Sequence, residues 1–262
     1  MKKQFQIIAA TFISVAIVSC SKQSAEMPEV AQKPAEEIST SSSSSNGRPV
    51  IDPLSVGLAG SYPFTGTLKE QTRKLADGQR MPLSRVNGAI YTYDRKGIAN
   101  AALKFDGNYY VTIANVPVQQ NMSLSVWVKR LTFPDAYSAP SIVRHNSTGI
   151  SLLQDENGFW GRVLSYASSS LTTSLYTGSS FPADQQWHHV VITYSDEEMT
   201  MYVDNQKIGP TSGTFTVVDE FTKYLLGYAH GVAGKYWQGT IDDLRFYNRT
   251  LSASDVQKLY NL

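Results

Sequence analysis

The sequence predicts an all-β fold, one antiparallel sandwich or barrel running from about Leu54 to Leu262, with a short helix at its end. Three observations predict it. Apolar residues recur at period two in one segment after another, which is the signature of half-buried strands. Polar or Gly-containing breaks separate these segments. A chain with 18 Gly, 15 Tyr and 10 Phe, 42% hydrophobic and only 17% charged, is turn-rich and too apolar for wholesale disorder. No second linker interrupts the block, and roughly 205–210 residues suit one such β domain.

The elements follow in order. Leu58, Tyr62 and Phe64 share a parity and are expected on one face. Ala101, Leu103 and Phe105 form the next alternating set before the break Asp106-Gly107-Asn108. In Ser123 to Val128, Leu124, Val126 and Val128 face one way and Trp127 the other. Asn157-Gly158 marks a turn. Val190, Ile192 and Tyr194 share a face, as do Met199, Met201 and Val203 after the polar break at Ser195 to Glu198. Asp204-Asn205-Gln206 predicts a further turn, so Trp187 to Ile208 is expected to pair locally. Ser252 and Asp255 make a capping-type S-x-x-D, and Val256, Leu259 and Tyr260 follow on one helical face.

The first fifty residues read differently. Lys2 and Lys3 precede an uncharged, mostly apolar run of 12 residues, Ile7 to Val18. That run is shorter than the ~20 residues needed to span a bilayer and fits the apolar region of a signal peptide, expected over residues 1–19. Ile17-Val18-Ser19-Cys20 resembles the bacterial lipobox. The resemblance implies lipidation at Cys20, cleavage before it, and acylation of the new terminus, such as by palmitate. Several acyl chains anchor stably where one does not. Ser21 rather than Asp follows the Cys, which by analogy with Gram-negative sorting places the lipoprotein at the outer membrane, on its periplasmic or cell-surface side. Cleavage takes the formal charge from +1 to −1. Residues 20–53 lack aromatics, carry Pro28, Pro34, Pro49 and Pro53, and include a Ser/Thr run from Ser39 to Ser45. They are expected to form a flexible tether with a reach of roughly 30 Å. Residues 54–262 then form the folded domain.

Charge and rare residues exclude several functions. With 23 basic and 22 acidic side chains, the chain lacks the net basic field of an electrostatic nucleic-acid binder. One Cys forbids an intrachain disulfide and a Cys-based zinc site. His188 and His189 are adjacent, so on a strand they face opposite sides and do not share a metal. They read as one hydrogen-bonded core residue and one surface residue. His145 and His230 have no partner at zinc-ligand spacing.

Several strings together resemble the laminin G-like, concanavalin A-like family, in its LamG-like jelly-roll branch. They are Tyr62-Pro63-Phe64-Thr65-Gly66, Asp94-Arg95, Phe105-Asp106-Gly107, Met122 to Lys129, Trp187 to Tyr194, Met201-Tyr202-Val203-Asp204, and Gly239 to Ser252. The resemblance implies two antiparallel sheets packed face to face, with the strand around Leu244 and Phe246 lying near the first strand. It also implies a cell-surface binding module, with carbohydrate as first choice. The alternative is a protein-contact or adhesion module for a cell-envelope or extracellular protein, and the third reading is a glycan-active enzyme. Retaining glycosidases of this fold carry E-x-D-x-E or E-x-D-x-x-E, which sets two carboxylates about 5 Å apart on one face. Neither string occurs, Asp196-Glu197-Glu198 falls in a predicted turn, and G-x-S-x-G is absent. A non-catalytic module is therefore expected.

Aromatics are the sugar platforms to look for, because their faces stack on pyranose C–H groups. Trp160, His230, Tyr236 and Trp237, read as lying in or beside loops, are the expected ligand contacts, with Trp127 in reserve should its sheet face be open. The family resemblance further implies a structural calcium where Asp242 and Asp243 meet an early acidic turn. Here that turn reads Glu70-Gln71-Thr72-Arg73-Lys74, so Glu70, Asp242 and Asp243 are the metal candidates. The competing expectation is that Asp242 pairs with an Arg.

Overall fold

Alternating strands must bury their apolar halves against something, and here each sheet supplies the cover for the other. The structure is a computed structural model. It describes residues 52–82, 90–131, 140–155, 158–167, 170–179, 184–195, 197–214, 217, 220–228 and 236–262. Cys20, the tether as far as residue 51, and His230 lie outside the described residues.

In chain order the strands are β1 (Leu58–Tyr62), β2 (Gln79–Pro82), β3 (Ile90–Thr92), β4 (Ala102–Asp106), β5 (Tyr109–Pro117), β6 (Met122–Arg130), β7 (Ser141–His145), β8 (Thr148–Gln154), β9 (Phe159–Ala167), β10 (Ser170–Ser179), β11 (Trp187–Tyr194), β12 (Glu198–Val203), β13 (Gln206–Ser212), β14 (Phe221–Leu226) and β15 (Gln238–Tyr247). Helix α1 (Ala253–Tyr260) follows. Among the described residues one sheet, A, runs β13-β12-β11-β6-β15-β4-β3, with β1 also paired to β15. The other, B, runs β10-β9-β8-β7-β14-β5-β2. All pairs are antiparallel, giving the two-sheet jelly-roll sandwich.

The expected faces hold for Leu103 and Phe105, for Leu124, Val126 and Val128, for Val190, Ile192 and Tyr194, and for Met199, Met201 and Val203. All lie in the core between the sheets. Leu58 departs from its expected face. Tyr62 and Phe64 are in that core, but the pairing of β1 with β15 shifts register between Leu58 and Gly60. The bulge reverses the alternation, so Ala59 packs against the inter-sheet core and Leu58 packs outside it. The Asp204-Asn205 turn joins β12 to β13 with both residues at positive φ, 50° and 64°, the conformation a two-residue hairpin favours.

Strand β15 is the axis of sheet A. Its first half pairs with β4, its second half with β1, and β6 runs along its other side. Leu244 therefore lies opposite Tyr62, and Phe246 opposite Gly60, as the family resemblance implied. The outer face of sheet A is roofed by α1. The capping box forms in full, with the Asp255 N–H donating to Ser252 Oγ and the Ser252 N–H donating to Asp255 Oδ2. Val256 and Leu259 then pack with Leu54, Val191, Tyr202, Tyr247 and Leu251. Burying each such aliphatic side chain is worth roughly 1.5–3 kcal/mol. Tyr260 is more exposed and stacks instead on Trp127, at 5.6 Å and 15°.

Candidate functional site

Sheet B presents the aromatic surface. On β9, Phe159 and Val163 point into the core, so Trp160 and Arg162 point outward. Trp160 sits on a strand rather than in a loop and is 38% exposed. Opposite it on β10 stands Gly178. A Cβ there would lie 2.3 Å from the indole ring, so the ring rests flat against glycine backbone. The indole N–H donates to Asp155 Oδ2 at 2.5 Å, and Asp155 Oδ1 accepts from the Gly158 N–H at 2.9 Å. One ring face is thus supported, the edge is pinned, and the other face is open. Tyr176, 50% exposed, lies across from Arg162 on β10, with the guanidinium 5.9 Å from its ring centre.

Three to four strands away lies a second aromatic group. Tyr109 and Val111 are core residues, so Tyr110 faces outward from β5. Tyr236 stacks on it at 6.1 Å and 4°, and Tyr228 meets both edge-on, at 5.1 Å and 5.7 Å. Burial pushes the Tyr236 hydroxyl pKa up, and the neighbouring titratable hydroxyls of Tyr228 and Tyr110 add to it. Trp160 pairs with Leu153, Leu153 with Ser141, and the Ser141 N–H donates to Tyr228 O. The indole and the tyrosine group therefore stand at one end of the same face, roughly 15–20 Å apart at about 4.8 Å per strand. Two platforms at that spacing suit an extended chain rather than a single sugar.

Of the expected contacts, the structure brings Trp160 and Tyr236 to this face. Trp237 is corrected. It is 1% exposed, lies over the backbone of Gly239, packs on Phe105 at 5.7 Å and donates its indole N–H to Gln154 Oε1 at 2.9 Å. No face is left for a ligand. Trp127 points away from the core as expected, but its face is closed. Tyr260, His189 at 5.0 Å and the Arg95 guanidinium at 4.7 Å cover it. Tyr176, Tyr110 and Gly178 were not singled out from sequence. The pair Tyr109-Tyr110 carried a signal, because neighbours on a strand must face opposite sides.

The histidines are all structural where described. His188 is buried, its Nδ1 2.7 Å from Asp204 Oδ2 and its Nε2 2.9 Å from Asp184 Oδ1. Burial alone would lower its pKa, but the two carboxylates raise it. His189 is buried too, not on the surface, because Trp127 and α1 cover the sheet there. Its Nε2 meets Ser125 Oγ at 2.9 Å, and burial brings its pKa down to about 3.

The acidic candidates do not fit a calcium ion. Glu70 Oε1 accepts from the Ser61 N–H, the Thr72 N–H and the Thr72 hydroxyl at 2.8–2.9 Å, and Oε2 accepts from the Lys74 N–H at 3.1 Å. Burial pushes its pKa up, yet those donors together hold it below the ordinary value. Asp242 and Asp243 sit where β15 bulges and its partner changes from β4 to β1. Arg95 Nη1 lies 2.7 Å from one carboxylate and 2.8 Å from the other. The place of a hard cation between them is filled by a guanidinium, and oxygen lone pairs that would coordinate it are taken by backbone donors. Among the described residues no three His, Cys, Asp or Glu side chains converge to hold a metal. Asp242 is pushed up to about 7, by burial first and then by Asp243, with Arg95 pulling the other way.

Comparison with known proteins agrees with this architecture. Domain 4 of AbnA, a GH43 extracellular arabinanase from Geobacillus stearothermophilus solved with arabinotriose, superposes with TM-score 0.56 at 17% identity, over 78% of this chain and 98% of that one. The binding domain of botulinum neurotoxin DC, solved with rat synaptotagmin II, gives TM-score 0.61 at 14% identity over 79% of this chain. The binding domain of Paraclostridial mosquitocidal protein 1 gives 0.59 at 16% identity, again over 79%. The chain spans about half the length of the two toxin domains, 52% in each case. At these identities the likeness is one of fold. No curated protein matches in sequence. A laminin G family model matches residues 105–257, and the chain belongs to the family it describes, the concanavalin A-like lectin/glucanases superfamily.

Proposed function

We propose that this protein is a lipid-anchored, non-catalytic module that binds carbohydrate outside the cytoplasm, on the outer face of sheet B. The observation that carries the reading is the Trp160 indole, supported by Gly178, pinned by Asp155 and open on its remaining face. A flat apolar ring held in advance pays little ordering entropy on binding, and its face suits the C–H side of a sugar ring. The tyrosine group of Tyr110, Tyr228 and Tyr236 supplies the second platform. Arabinotriose bound to the AbnA domain is in keeping with a sugar-binding use of this architecture. Acylation at Cys20 after removal of residues 1–19 would hold the module at the outer membrane.

The test is a panel of bacterial, plant and host glycans probed with the full chain in detergent, beside Trp160→Ala. Micromolar to millimolar affinity, about −8 to −4 kcal/mol, lost with Trp160→Ala, supports the site. Binding that survives the substitution overturns it. Capture of a specific envelope protein with no glycan bound favours the adhesion reading, and new reducing ends or unsaturated products overturn the non-catalytic one. Cys20→Ser should release the chain from membranes, and continued membrane fractionation refutes the anchor.

A further inference from the structure

The two aromatic platforms of sheet B are joined by a row of side chains that crosses the strands. From Trp160 on β9 the row steps to Leu153 on β8, which pairs with it. Leu152 is a core residue, so Leu153 faces outward, where it is half-buried. Leu153 pairs in turn with Ser141 on β7, whose N–H donates to the Tyr228 carbonyl. Tyr228 meets the Tyr110 ring at 5.1 Å, and Tyr110 pairs with Met81 on β2. Met81 is 39% exposed and, directly opposite Tyr110, shares its face. The row thus runs from β9 to the edge strand β2, five strand steps or roughly 24 Å at about 4.8 Å each. None of its members is charged.

Sheet twist sets what can lie along this row. Neighbouring strands rotate by roughly 20–25°, so three to four strands turn the second platform by roughly 60–100° from the first. A rigid flat ligand cannot lie on both. A chain of sugar rings turns at each glycosidic bond and can. The row also opens on both edges of the sheet, because β10, next to Trp160, and β2 are its outermost described strands. The seven strands carry no Asp or Glu, so a polymer lying there meets no carboxylate pair from the strands beneath it.

We infer that this face grips a linear polysaccharide along its length, across the strands, with Trp160 and the Tyr110 group each under a separate ring and Leu153 and Met81 extending the contact. This rests on the carbohydrate reading above and names its substrate class, a polymer held mid-chain rather than a terminal sugar. At roughly 15–20 Å between platforms, a disaccharide reaches one of them and a chain of about four to five rings reaches both. Once the first platform is engaged, the second contact is intramolecular, so affinity climbs steeply at that length without any new kind of contact.

The experiment titrates the full chain in detergent with cello-, xylo-, manno- and arabino-oligosaccharides of two to eight rings, and with their parent polymers. In at least one series, affinity should rise about tenfold or more between two and about five rings and then level off. Reducing the terminal ring of the longest member to its alditol should leave binding unchanged. Tyr110→Ala should remove the gain of long over short chains. Met81→Ala should weaken the longest chains, with Tm unmoved because that side chain is exposed on an edge strand. Lys207→Gln on sheet A should alter nothing. Affinity that stays flat with length, or that falls when the chain end is reduced, overturns mid-chain binding and leaves the carbohydrate reading standing. A gain with length that survives both Tyr110→Ala and Met81→Ala places the chain elsewhere and also overturns it. If none of the four series binds, this inference falls, and the carbohydrate reading falls with it only when the wider glycan panel is silent too.

Discussion

Asp242 shares one guanidinium with Asp243, so the cluster carries one carboxylate too many for its cation. Arg245 approaches Asp243 only to 3.9 Å, and Asp94 adds a further negative charge nearby. The buried member takes up a proton first, and its pKa rises from 3.8 to about 7. Between about pH 4 and pH 7 the unfolded chain has lost this proton and the folded chain keeps it. The folded state then binds more protons, so this group makes stability fall as pH rises. Three pKa units at about 1.4 kcal/mol each set a scale of ~4 kcal/mol. Asp242→Asn keeps the shape, imitates the protonated form, and leaves Arg95 its bond to Asp243. Because His145 and His189 contribute slopes of the opposite sign, the quantity to follow is the difference between variant and wild type. In urea unfolding from pH 4.5 to 7.5, the variant should gain about 3 kcal/mol on the wild type. A difference that stays level across that range, or moves the other way, would show that Arg95 keeps Asp242 ionised throughout and would refute the reasoning.

Gly178→Ala puts a methyl group within 2.3 Å of the Trp160 ring. It should weaken glycan binding about as much as Trp160→Ala, read by titration, with a small Tm change because β10 is an edge strand. His188 has a raised pKa, so its stabilisation is full below about pH 6.5 and fades as pH rises through the folded value. The Tm deficit of His188→Gln should accordingly be larger at pH 5.5 than at pH 9, and an equal deficit would count against a charged His188. Adding calcium and then a chelator should leave Tm unmoved, since a bound ion would raise it by mass action. A calcium-dependent rise would restore the metal reading of Glu70, Asp242 and Asp243.

Strand faces were legible wherever alternation ran unbroken, as from Leu124 to Val128 and from Val190 to Tyr194. It failed at Leu58, because a bulge adds a residue without any mark in composition. The helix was legible because its cap is chemistry local to Ser252 and Asp255. Trp237 and Tyr236 are neighbours, and nothing in their order tells which is buried. Gly239 decides it by leaving room for the indole against its backbone. Trp127 was aimed correctly, but its cover, α1, is a tertiary fact. The absence of carboxylates from sheet B was hidden because its strands are scattered between residues 79 and 226, and only strand order gathers them.

The position of β15 also governs when the fold can form. Its neighbours β1, β4 and β6 begin at residues 58, 102 and 122, yet β4 cannot complete its ladder until residue 241 is present, nor β1 and β6 theirs until residue 247. The Arg95–Asp242 contact alone spans 147 positions. Contacts this distant close slowly. A chain emerging amino-terminus first must wait, with the centre of sheet A unpaired, until nearly all of it has been made. This order also means that truncation before Gln238 would leave several strands with open edges, exposed to pairing with other chains rather than merely shortening the product.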